Sequence, residues 1–164
     1  MSFEIINEDI TKLEVDAIVN AGNTSLQRGG GVCGAIFKAA GSKELQEACD
    51  KLAPISTGDA VITDGFNLNA KYIIHTAGPV YNPADPKESE KLLANSYKNS
   101  LKLAKKNNIK SIAFPLISAG IYAYPKNEAL EIAKTTIEDF LSKNEMDIYL
   151  TIIDKDLIAE INKV

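Results

Sequence analysis

Between Val15 and Gly41 the chain reads Val-Asp-Ala-Ile-Val-Asn-Ala-Gly-Asn-Thr-Ser-Leu-Gln-Arg-Gly-Gly-Gly-Val-Cys-Gly-Ala-Ile-Phe-Lys-Ala-Ala-Gly, an order few architectures accommodate. Ala17, Ile18 and Val19 form a short apolar run bounded by polar residues, the signature of a central strand. Two carboxamides, Asn20 and Asn23, stand where that strand should end. Gly29, Gly30 and Gly31 lead into a helix predicted over Val32 to Ala40 and closed by Gly41. Glycines at a strand-to-helix junction let backbone N–H groups approach an anion unobstructed. The helix N-terminus adds unpaired donors and a partial positive charge. The segment is suited to holding phosphate, with two amides beside it for a polyol.

The remaining chain alternates strands and helices. Strands are expected at Ser2 to Asn7, Asp16 to Asn20, Asp59 to Thr63, Lys71 to Thr76, Ser111 to Phe114 and Asp147 to Ile153. Helices are expected at Ser42 to Leu52, with Ser42 as a cap, then at Lys87 to Asn107, from Pro125 as an N1 proline to Ser142, and at Asp154 to Asn162. Leu92, Leu93, Tyr97, Leu101, Leu103 and Ala104 should face inward from the long helix. Asp9, after the first strand, reads as a cap or Asx-turn residue. The alternation predicts a mixed, largely parallel sheet covered by helices on both faces. Ligands of such sheets bind beyond the carboxyl ends of strands. The loops after Asn20 and after Phe114 both lie there, and the second, Leu116 to Tyr124, is again made of small residues.

Length and charge narrow the function. A chain of 164 residues suits one domain, 1–164, with one real core. With a net charge of −4 a nucleic-acid surface is not the default, and any phosphate must be held by backbone dipoles more than by a basic patch. Cys33 and Cys49 are the only cysteines and form no CxxC motif, so neither a disulfide scaffold nor a metal site is expected and a reducing compartment fits. No apolar run approaches the length of a membrane span, and the N-terminus is no signal peptide; a cytoplasmic protein is expected.

Other chemistries fit less well. Gly29 to Gly34 satisfies G-x-G-x-x-G, but Asn20 to Arg28 separates the glycines from their strand and Asp64 falls too late for a nicotinamide fingerprint. No Lys-Ser/Thr follows, so a P-loop fails. His75 is the only histidine and ends an apolar strand, which suits a core role better than a triad. Cys33 at a helix N-terminus is a candidate nucleophile without an evident base. Tyr124 reads as core, whereas Tyr122 beside the second loop presents a flat face suited to a sugar.

Four segments in order, Val15 to Asn23, the glycine run with Val32, His75 to Pro79 and Pro115 to Tyr122, resemble the signatures of the macrodomain family, which binds ADP-ribose. The resemblance spans nearly the whole chain. It implies a three-layer α/β/α sandwich that binds ADP-ribose and hydrolyses ADP-ribosyl esters, on mono-ADP-ribosylated proteins or as O-acyl-ADP-ribose. It implies no cofactor, no membrane and a monomer.

Position by position, it implies that Asp9 accepts from the adenine amino group, with backbone help from Ile10. Gly30, Gly31, Val32, Cys33 and Gly34 would cradle one phosphate, and Ser118, Ala119, Gly120, Ile121 and Tyr122 the other. The catalytic set would be Asn23 on the distal ribose, Asn20 supporting the loop and Tyr122 stacking near that ribose. Hydrolytic MacroD-type members carry Asp where this chain has Cys33, His where it has Phe37 and Gly where it has Arg28. Certain viral macrodomains with a similar Gly-Val-Cys segment also lack that Asp, and in them the substrate's own phosphate is thought to help activate water. A non-catalytic ADP-ribose reader is the alternative reading.

Overall fold

The computed structural model describes residues 2–162. Six strands form one sheet: β1 (Ser2–Ile6), β2 (Ala17–Gly22), β3 (Ala60–Asp64), β4 (Tyr72–Ala77), β5 (Ser111–Pro115) and β6 (Asp147–Thr151). The helices are α1 (Gly31–Ala40), α2 (Ser42–Asp50), α3 (Pro86–Lys106), α4 (Lys126–Leu141) and α5 (Lys155–Asn162). The order across the sheet is β1-β6-β5-β2-β4-β3. Every neighbouring pair is parallel except β3 with β4, so the sheet is mixed and the lone antiparallel strand sits on an edge.

Alternation along each strand explains the layers. Ala17 and Val19 of β2, Ile74 of β4 and Ile112 and Phe114 of β5 point to one face, where α3, α4 and α5 supply Leu93, Tyr97, Ala129, Leu130 and Leu157. Ile18, Ile73 and Ala113 point to the other, where α1 and α2 supply Ile36, Phe37, Leu45 and Cys49. Buried on both sides, these strands begin as apolar runs, Ala17 to Val19 and Ile73 to Ile74, and turn polar only at Asn20 and His75 towards their carboxyl ends. The result is the three-layer α/β/α sandwich the sequence suggests.

β2 and β5 are neighbours, yet the chain leaves them towards opposite faces: β2 leads to α1 on one, β5 to α4 on the other. A crevice opens beyond their carboxyl ends, the switch-point geometry of open parallel sheets.

Local departures from the sequence reading have simple causes. Gly41, at φ +109, is the N-cap of α2 in place of Ser42, whose hydroxyl accepts from Arg28 Nη1 at 2.9 Å. Pro125 is the N-cap of α4 rather than its first residue, with ψ at 124° still extended. On α3, Leu92 and Leu103 are only half-buried, while Ser89, Ser96 and Ser100 turn inward, because the helix crosses close to the sheet.

Candidate functional site

A cavity of about 520 Å³ fills the crevice. One wall is Ala21, Gly22 and Asn23 with the Gly29 to Cys33 segment; the other is Pro115 to Ser118 with Gly120, Ile121 and Tyr122; Gly78 closes the base between them. The two small-residue loops, nearly 90 residues apart in sequence, therefore face one another across a single space.

The first loop is shaped by glycine. Gly31 takes φ +57 after an extended Gly30, which caps α1 without a side chain. The Gly29 carbonyl packs so closely on Gly34 that a Cβ there would come within 2.6 Å of the oxygen. The first bond recorded at this end of α1 is Gly34 N–H to the Gly30 carbonyl at 3.3 Å. The N–H groups of Gly30, Gly31, Val32 and Cys33 thus have no acceptor among the described residues, as expected of a helix start. In the second loop Ser118 adopts φ +66, a left-handed conformation uncommon for serine. Ala119, Ala123 and Tyr124 donate within the turn, leaving the amides of Gly120, Ile121 and Tyr122 without an acceptor among the described residues. The Ser118 hydroxyl is buried without a partner among the described residues. Two sets of backbone donors therefore border the cavity.

Asn23 lines the cavity while bracing its own loop. Its Oδ1 accepts from Ser25 Oγ at 2.8 Å and Gln27 N–H at 3.1 Å, and its Nδ2 donates to the Gln27 carbonyl at 3.0 Å. One Nδ2 hydrogen is left over. Asn20 does not reach the cavity; it is 1% exposed on the α1/α2 face. Its Nδ2 lies 3.2 Å from His75 Nδ1 and 3.6 Å from Cys33 Sγ, which also accepts from Gly29 N–H at 3.4 Å. His75 Nε2 donates in turn to Thr63 Oγ1 at 2.9 Å, whose hydroxyl donates to the Asp64 carbonyl. Burial pushes His75 down to about 4, so the ring is neutral; because the Thr63 hydroxyl donates to Asp64, the ring's proton is assigned to Nε2. A polar chain thus crosses β3, β4 and β2 and ends under the first loop.

Asp9 caps the short 3-10 turn Ile10–Lys12. Its Oδ1 accepts from Thr11 N–H and Oγ1, and these bonds hold its pKa below the usual carboxylate value. Ile10 is buried beside Ile18, Cys33 and Ile36. Asp9, Ile10, Asn20, Gly34 and Ala119 are not in the cavity lining. Gly78 was not singled out from sequence as a site residue; a Cβ there would sit 2.4 Å from Ser118 Oγ and 2.5 Å from Ile117 Cγ2. Its sequence signals are the small-residue Thr-Ala-Gly-Pro end of a strand and its place in the His75 to Pro79 segment that carries the resemblance.

The family model for the Macro domain matches residues 19–133, a span holding both loops, the end of β2 and all of β5. The chain belongs to the Macro domain family. It is 48% identical over 158 residues to the O-acetyl-ADP-ribose deacetylase of Escherichia fergusonii, covering 93% of this chain and 88% of that protein. It is 53% identical over 140 residues to human ADP-ribose glycohydrolase MACROD2, covering 85% of this chain but 33% of that longer protein. Among solved structures, a mutant Oceanobacillus iheyensis macrodomain with ADP-ribose superposes with a TM-score of 0.91 at 41% identity, covering 97% of this chain and 89% of that one. The first loop, the second loop and Gly78 are therefore parts of a Macro domain fold, and the cavity between them is this Macro domain's candidate ligand site.

Proposed function

We propose that this Macro domain binds ADP-ribose in the cavity and hydrolyses ADP-ribosyl esters, on modified acidic side chains of proteins or as O-acyl-ADP-ribose. The observation that carries the reading is the pair of unpaired amide sets facing each other across one space of about 520 Å³. That arrangement suits two linked phosphates, and relatives named as a deacetylase of O-acetyl-ADP-ribose and an ADP-ribose glycohydrolase support the chemistry. In this reading the first loop holds one phosphate and the second the other. Asn23 offers its spare Nδ2 hydrogen to the distal ribose, and Tyr122 flanks that sugar. Asp9, at the end of β1 on the same sheet edge, faces the adenine amino group. Asn20 acts from behind the wall, through Cys33.

The lining contains no Asp, Glu, His, Lys or Arg among the described residues. The chain therefore supplies orientation and charge stabilisation rather than a strong base. The bound diphosphate is the nearest anionic oxygen able to take a proton from water. The amides that grip it are already in place and need no reorganisation as negative charge shifts. No helix among the described residues is long and apolar enough to cross a membrane. Two buried free thiols suit a reducing compartment such as the cytoplasm.

The test is incubation with a protein labelled on a glutamate by mono-ADP-ribose, alongside calorimetry with ADP-ribose. Saturable heat with label release is the expected result. Asn23→Ala should slow release by about tenfold or more, through the lost ribose contact. Saturable heat with no release would make the chain a reader, the reading that Cys33 in the cavity wall favours. Full turnover in Asn23→Ala would remove that residue from the chemistry.

A further inference from the structure

Helix α3 carries six lysines and two glutamates in a chain whose net charge is −4. Lys87, Lys91, Lys98, Lys102, Lys105 and Lys106 are all exposed, and no ion pair is recorded for any of them among the described residues. At 3.6 residues per turn, Lys87, Lys91, Lys98, Lys102 and Lys105 fall within a sector of about 60°, and from Lys87 to Lys106 the stripe runs about 28 Å. The other long helices mix signs: α4 has Lys126 and Lys134 among Glu128, Glu131, Glu138 and Asp139. A sector of one sign along a helix of an acidic chain is a local electrostatic feature, not a general surface property.

The stripe borders a second concavity of about 380 Å³, between α3 and the outer strand β3. Its floor is Ala60, Val61 and Leu103, and Lys102 and Lys106 stand over it, one turn apart. β3 is the last strand in the sheet order, so its outer backbone edge is open to an added strand. Asp59, at one end of the groove, is committed to the Ser56 amide at 3.0 Å. The groove and the main cavity are connected by α3 itself. Ser96 Oγ donates to the Ala77 carbonyl at 3.4 Å, so the middle of α3 is level with the carboxyl end of β4. The first half of the helix, with Lys87 and Lys91, lies beyond that edge, on the side where the cavity opens.

We infer that the α3 stripe and the β3 groove form a docking surface for an extended acidic segment of the protein whose modified side chain enters the cavity. In an extended segment alternate residues lie about 6.8 Å apart, close to the 6 Å rise between lysines four apart. A segment with acids at every second position therefore meets Lys98, Lys102 and Lys106 in register while its backbone pairs with β3. A local acidic segment is favoured over a long polyanion because the rest of this chain is acidic and repels one. This inference rests on the proposed activity for its consequence, not for the contact itself.

Two measurements test it on the full chain carrying Lys98→Gln, Lys102→Gln and Lys106→Gln together. The first is binding of a fluorescent twelve-residue peptide of alternating glutamate and valine. The wild type should bind in a salt-dependent way, and the triple variant should bind about tenfold more weakly, in line with three exposed ion pairs. The second is release of ADP-ribose from a glutamate-modified carrier with acidic flanks. KM should rise in the variant, with kcat and the calorimetric Kd for free ADP-ribose unchanged. Equal peptide binding by both proteins overturns the inference. So does a single-stranded oligonucleotide of matched charge that binds more tightly than the peptide. If the wild type gives no heat with ADP-ribose, the functional reading fails, while the peptide measurement still decides the docking surface.

Discussion

At the scale of single residues, two features control the first loop: a glycine with no room and a histidine with no charge. Gly34 sits inside α1, where its Cβ would meet the Gly29 carbonyl at 2.6 Å. That oxygen belongs to backbone and cannot swing aside, so Gly34→Ala must push Gly29 outward and spread the amides behind it. The expected result is weaker ADP-ribose binding and a stability loss of about 1–3 kcal/mol, read by calorimetry and urea unfolding. His75 gives a pH signature. Its pKa is about 4 in the fold against 6.5 when free, because burial disfavours the charged ring. Between those values the unfolded chain binds a proton that the folded chain does not, so acid favours unfolding. The contribution is whole above pH 6.5 and is lost as pH falls towards 4; the shift corresponds to roughly 3 kcal/mol. Urea midpoints should fall over that range in the wild type and fall less in His75→Gln. Equal slopes would mean that other groups carry the acid sensitivity.

At the scale of elements, α3 fixes the second loop as the polar chain fixes the first. The Tyr97 hydroxyl accepts from Ile117 N–H at 3.1 Å and donates to the Pro115 carbonyl at 3.4 Å, fully buried between helix and strand end. Tyr97→Phe takes the hydroxyl acceptor from the Ile117 N–H and the donor from the Pro115 carbonyl at the start of the loop. Stability should drop by about 1–3 kcal/mol, and ADP-ribose affinity should drop with it; a loss of stability alone would separate the tyrosine from the site. Much of this was legible in the sequence. Strand and helix positions follow from run length and spacing, and the first loop announces itself by three consecutive glycines. The edge placement of β3 and its antiparallel sense were not legible, because they depend on which distant strand it meets. Tyr97 reads only as an inward residue; its hydroxyl matters through a loop twenty residues on. Asn20 shows the limit most clearly. The apolar run ends at Val19, but β2 continues to Gly22, so Asn20 keeps the strand's alternation and points with Ile18 towards α1 instead of opening into the loop.

At the scale of the whole molecule, the cavity proposed to hold a diphosphate belongs to an acidic protein. Its lining has no lysine or arginine among the described residues, and the chain's net charge of −4 opposes a diphosphate. In the proposed reading attraction comes from backbone dipoles at the start of α1 and in the second loop, set where β2 and β5 part. Salt acts differently on these two fields. Over distances beyond the Debye length, about 10 Å at 0.1 M, added ions screen the repulsion from the rest of the surface. At contact distance inside a walled cavity they do little to the amide bonds. Calorimetry from about 50 to about 500 mM sodium chloride should therefore show the Kd for free ADP-ribose changing by less than about threefold, with any drift towards tighter binding. Binding through the α3 lysines, which are solvated and exposed, should weaken steeply over the same range. A tenfold loss of ADP-ribose affinity in high salt would mean that side-chain cations, not the two loops, hold the diphosphate, and the cavity would no longer be the site.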